Sequence, residues 1–154
     1  MKKLLVGLSI LLTAAPAYAA SSSFADLIAA GQSVECSYSK PDGTSGTIYT
    51  AQGRLRGEML VREGGSTYPA HMITDGQKMY MWGGPMGEKQ GMVMSVNPSG
   101  AGPMGGPQTA DLNAQMDCTC KPWPVDASKF DPPSDVQFQD MAAMMAQAYA
   151  GMGE

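Results

Sequence analysis

Histidine is nearly missing from this chain: His71 is the only one in 154 residues. That scarcity excludes most acid–base and metal chemistry built on imidazole. No Gly-x-Ser-x-Gly elbow supplies a hydrolase nucleophile either. Basic residues are also few, 10 Lys and Arg against 14 Asp and Glu, for a net charge of −4. Nucleic acid and anionic lipid surfaces both select Lys and Arg, so neither is expected as a partner. Beyond Ala19 no apolar run approaches the roughly 20 residues of a membrane helix. The acidity serves solubility.

The first 19 residues carry a different message. Lys2 and Lys3 form a positive start, and Leu4 to Ala15 is apolar but too short to span a bilayer. Pro16 follows, then Ala17-Tyr18-Ala19 places small residues where a signal peptidase requires them. Cleavage between Ala19 and Ala20 is expected, and no cysteine stands after the cut to anchor a lipid. Removing 19 of 154 residues leaves 135, enough for one domain with one core. Losing Lys2 and Lys3 leaves 8 basic residues against 14 acidic ones. The expected product is exported and soluble, periplasmic or extracellular, in a compartment that permits disulfides.

Ser21 to Gly31 reads as a short helix, with Ser22 or Ser23 as its cap and Phe24, Leu27 and Ile28 on one face. From Ser33 to Val96 the period changes to two, and Pro41-Asp42-Gly43, Gly64-Gly65, Asp75-Gly76 and Gly83-Gly84-Pro85 punctuate it. The expected strands are Val34 to Tyr38, Thr47 to Leu55, Glu58 to Arg62, Thr67 to Thr74, Gln77 to Trp82 and Gly91 to Val96. Joined by tight turns, they form an antiparallel meander. Residues 97–108 read as a Gly/Pro-rich loop and Thr109 to Met116 as a helical turn or two. Asp117 to Trp123 and Val136 to Phe138 read as further strands. The resulting division is a signal peptide over 1–19, one β-rich domain over 20–139 and a helical tail over 140–154, capped by Asp140. The fold class is α+β.

Cys36, Cys118 and Cys120 remain after export. An oxidising compartment makes one disulfide the default and leaves one cysteine outside it. Cys118 and Cys120 share a strand face, so either can meet Cys36. Cys36–Cys120 is the preferred pairing and Cys36–Cys118 the alternative. The competing reading is a zinc site of Cys36, Cys118, Cys120 and His71. Against it, Cys-x-Cys is tighter than the usual spacing of structural zinc ligands.

Methionine is abundant, with 14 residues including Met1. Met79 and Met81 share one strand face, as do Met92 and Met94; Met59 and Met72 join them if the register allows. Three readings compete: core filler, an apolar ligand surface of Met79, Met81, Met92 and Met94 with Tyr80 and Trp82, or a thioether site for copper. Met141, Met144 and Met145 have helical spacing and read as an apolar stripe.

Some matches carry no weight. Gly100-Ala-Gly102-Pro-Met-Gly105 fits a dinucleotide-binding pattern, but Pro98, Pro103 and Pro107 forbid the helix that pattern requires. Asn97-Pro98-Ser99 is no glycan acceptor, because of its proline. Asp126, Asp131 and Asp135 lie close to prolines and read as turn formers.

The stretch Cys120-Lys-Pro-Trp123 through Asp126, Ser128, Phe130, Pro133, Asp135 and Val136-Gln-Phe138 resembles a group of small exported bacterial proteins of no established activity. Gly46-x-Ile48-Tyr49, Arg54-Leu-Arg56-Gly57, His71-Met72-Ile73-x-Asp75-Gly76 and Tyr80-x-Trp82 extend that similarity. In that group the Cys-x-x-Trp cysteine has no neighbour two residues earlier. The resemblance therefore favours Cys36–Cys120 and makes Cys118 the departure. The meander also resembles the lipoprotein-carrier (LolA-like) family, which implies a half-open, barrel-like sheet curled around an apolar cavity. The expected function is non-enzymatic binding of an acyl chain or lipidated peptide, without cofactor. Two others compete: copper or zinc binding through Met or Cys, and an interaction protein docked by an edge strand.

Overall fold

A computed structural model describes residues 17–96 and 115–150. Helix α1 (Phe24–Ala30) begins at Ser23, whose hydroxyl accepts from the Asp26 amide while Asp26 accepts from the Ser23 amide. This reciprocal pairing satisfies two donors that a helix start leaves open. Gly31, at φ 61°, ends the helix in the left-handed conformation.

Among the described residues, nine strands follow one order across a single open sheet, β1-β8-β2-β3-β4-β5-β6-β7-β9. The middle six are the meander: β2 (Val34–Ser39), β3 (Ser45–Ala51), β4 (Arg54–Glu63), β5 (Ser66–Thr74), β6 (Lys78–Gly83) and β7 (Gln90–Ser95). Each pairs antiparallel with the next. The fold is α+β, and the sheet does not close into a barrel.

Three features depart from the sequence expectation. The run Thr47 to Leu55 is not one strand, because Gln52 (φ 54°) and Gly53 (φ 72°) turn the chain between β3 and β4. Two consecutive left-handed residues make the hairpin turn whose twist suits adjoining strands. Gly57, expected to separate strands, lies inside β4. Strand β1 (Tyr18–Ser22) has no counterpart among the expected elements; it pairs with β8 (Met116–Pro122) and spans the expected Ala19–Ala20 cut.

Strand β8 also pairs with β2, setting Cys36 opposite Cys120, and these two form a disulfide. After β8, residues 123–136 cross one sheet face to reach β9 (Gln137–Asp140), which pairs parallel with β7. Asp126 accepts from the Ser128 amide and starts a short 3-10 turn there, Ala127–Phe130. Helix α2 (Met141–Ala150) follows, its first amides bonded to Asp140. Among the described residues no helix is long and apolar enough to cross a membrane. The expected loop over 97–108 lies outside the described residues, as does most of the helical turn over 109–116. Met116 itself is in β8.

Strand alternation divides the residues between two faces. On the α1 face, Leu27 packs with Val34, Cys36, Tyr38, Ile48, Leu55, Met72, Met79, Met116, Cys118 and Cys120. The opposite face lies beneath the 123–136 strap. It carries Tyr49, Arg54, Arg56, Glu58, His71, Tyr80 and Trp82.

Candidate functional site

The register settles which methionines meet. Met72, Met81 and Met92 are successive cross-strand partners, and Met79 opposes Met94 in the row beside them. Directly opposed residues share a face, so these five lie together. Met59 joins them from β4, packed against the core. Gly57 lies beside both: a β-carbon there would rest in ordinary contact with the terminal methyls of Met72 and Met59, at 3.7 and 3.9 Å. Met72 and Met79 are buried, whereas Met59, Met81, Met92 and Met94 are half-buried. A shallow open depression of about 410 Å³ adjoins Met59, lined by Tyr38, Leu60 and Pro69 together with Glu58 and His71.

Tyr80 and Trp82 do not belong to that surface. Alternation along β6 sends them to the face opposite Met79 and Met81. There Trp82 stacks on His71 (5.1 Å between ring centroids) and meets the edge of Phe138 at 5.9 Å, while Tyr80 meets Phe138 at 5.3 Å. The six-residue ligand surface expected from sequence is therefore split by the sheet.

His71 is likewise on the wrong face to join the cysteines. Arg56 donates from Nη2 to His71 Nδ1 at 3.4 Å and lies 4.6 Å over the Trp82 ring. Burial, and then the Arg56 charge, push the imidazole below its ordinary value and hold it neutral. The zinc set of three cysteines and His71 does not assemble.

What assembles is a sulfur cluster. The Sγ atoms of Cys36, Cys118 and Cys120 lie within 4.8 Å of one another, and all three residues are buried. Cys118 Sγ is 3.6 Å from Cys120 Sγ. Burial, with a smaller contribution from Asp117, pushes the Cys118 thiol up. Deep in this core Cys118 is a neutral thiol rather than an exposed nucleophile.

The strap face holds a group that sequence reasoning did not single out. Lys129 lies 4.3 Å over the Tyr49 ring and bonds Glu58 at 3.2 Å, and Glu58 also pairs with Arg56 at 3.5 Å. Trp123 donates to the Thr50 carbonyl at 3.0 Å and tilts against Tyr49, and Arg54 lies 4.7 Å over Phe130. Arg56 Nε is buried without an acceptor, and burial pulls its guanidinium below its ordinary value. Arg54, Arg56 and Glu58 at alternate positions were the available signal, hidden once Thr47 to Leu55 was read as one strand.

No protein-family model, curated protein or solved structure matches the chain.

Proposed function

We propose that the protein is an exported, non-enzymatic binding domain that takes an acyl chain on its methionine face. One observation carries this reading. Met81, Met92 and Met94 are adjacent and half-buried, and no charged residue interrupts their rows between Leu55 or Gly57 on β4 and β7. Unbranched, polarisable thioether side chains repack around an apolar ligand at little cost. Apolar surface with few polar anchors is the ordinary chemistry of a small-molecule site. The buried disulfide and the first 19 residues are in keeping with export.

The test is a titration of the bridged, mature chain with a fluorescent long-chain fatty acid. Saturable one-to-one binding is expected, with Met92→Glu weakening it by roughly tenfold or more, since a carboxylate beside an acyl chain must stay solvated. No saturable binding by protein of intact circular dichroism refutes the reading, as does equal binding by folded Met92→Glu. The mass of envelope-purified protein checks the export claim: the chain is expected to begin at Ala20.

A further inference from the structure

We propose that the three cysteines, in their thiol state, form a buried site for one Cu(I) ion, and that this state and the Cys36–Cys120 bridge exclude each other. The site lies on the same sheet face as the methionines, where β2 and β8 pair, and does not rest on acyl-chain binding. Register builds it: Cys36 and Cys120 oppose each other across β2 and β8, and Cys118 stands two residues along on the same face. Their sulfurs already lie within 4.8 Å of one another, inside a core with Leu27, Ile48 and Met116.

The donor set selects the ion. Structural zinc requires four ligands in a tetrahedron. Among the described residues no further His, Cys, Asp or Glu joins this cluster. The fourth ligand expected from the sequence, His71, is engaged with Arg56 and Trp82 across the sheet. Three soft sulfurs alone suit a d¹⁰ monocation that accepts low coordination, which is Cu(I).

Charge points the same way. Two bare thiolates in this core cost free energy that a monocation between them offsets. In the binding step Cys36 and Cys120 thiols each lose a proton and bind Cu(I), while Cys118 adds a third sulfur as a thiol. Two protons leave, no electrons move, and the centre carries a single negative charge. The bridged protein retains only one of the three thiols, so it has no such site.

The experiment titrates Cu(I) anaerobically into phosphine-reduced mature protein, in competition with bicinchoninate. Bridged protein and reduced Cys118→Ser are titrated alongside. One equivalent is expected in the reduced wild type, binding roughly tenfold or more weaker in Cys118→Ser, and none in the bridged form. Equal binding by bridged protein assigns the ion to the methionines and overturns the proposal. Equal binding by Cys118→Ser overturns it too, as does no binding by the reduced wild type. Circular dichroism is recorded at each point in case reduction unfolds the sheet. Recovery of the sheet signal on adding Cu(I) then supports the site, and binding without recovery overturns it.

Discussion

The Cys36–Cys120 bridge ties two strands that are 84 residues apart in sequence. Replacing both by alanine releases that loop in the unfolded chain. On the chain-entropy model the loss is about 4–5 kcal/mol. Denaturant slopes for domains of this size run near ~2 kcal/mol per M urea, so the midpoint falls by about 2 M. Against a total stability on the order of 5–15 kcal/mol, the double variant is left near its limit. The sulfur cluster makes the single variant Cys120→Ala more informative. Cys118 Sγ lies within 4.8 Å of Cys36 Sγ, and a Cys36–Cys118 bridge closes a loop only two residues shorter than 84. The entropic term is then almost unchanged. Cys120→Ala is therefore expected to re-bridge and to lose less than half of what the double variant loses. Urea unfolding followed by circular dichroism, with thiol counts on the denatured chain, measures both quantities. A Cys120→Ala protein as unstable as the double variant, with two titratable thiols, refutes the claim that Cys118 is placed to bond Cys36. A double variant that loses under about 1 kcal/mol refutes the loop-closure account itself.

Two further outcomes follow from the strap face and the sheet edge. His71 has its imidazole pushed down by burial and Arg56, whereas the unfolded histidine titrates near ~6.5. The unfolded chain therefore binds the proton first, so stability is full above about pH 6.5 and falls as pH drops toward the folded value. Urea midpoints at pH 7.5 and 5.5 should differ in wild type and much less in His71→Gln; equal slopes in the two proteins defeat the assignment. In Gly91→Ala a new methyl meets the Phe138 ring at 2.7 Å and the Met81 carbonyl at 2.8 Å. A thermal melt should show about 1–3 kcal/mol of destabilisation, and an unchanged melt defeats the close packing of β7 on Phe138.

The local grammar of the fold is readable in the residues. Ser23 and Gly31 bound α1, Asp75-Gly76 marks the β5–β6 turn, and Asp140 starts the tail helix, each by chemistry confined to a few neighbours. Gln52 hid the β3–β4 turn because only Gly, Asn and Asp advertise a left-handed position, and Gln52 is a non-glycine residue that adopts one. Strand β1 was hidden for a different reason. Tyr-Ala-Ala-Ser satisfies a peptidase as well as a strand edge, and only pairing with residues 116–120 shows the strand. The insertion of β8 between β1 and β2 is a long-range choice that no local period encodes. Yet the split of the aromatic and methionine residues is legible in the residue order alone. A period of two sends Tyr80 and Trp82 to one face of a strand and Met79 and Met81 to the other.

That split also decides where a ligand can be sought. The strap face is partly covered by the chain's own residues. Phe130 is buried, Lys129 caps Tyr49 and reaches Glu58, Trp123 is tied to the Thr50 carbonyl, and Phe138 covers Trp82. Arg56, enclosed there with an unmatched Nε, stays charged because a guanidinium gives up its proton only far above neutral pH. Glu58 and the Trp82 ring face compensate that charge, and the cluster joins strap to sheet. Met81, Met92 and Met94, on the methionine face, keep part of their surface. The rings and charges of the strap face are engaged with one another, so the proposed acyl chain belongs on the soft, apolar thioethers. Neither Trp82 nor Trp123 should then touch it: Trp82→Phe is expected to shift stability while leaving acyl-chain affinity within about twofold, and a larger loss of affinity in folded protein would move the site to the strap.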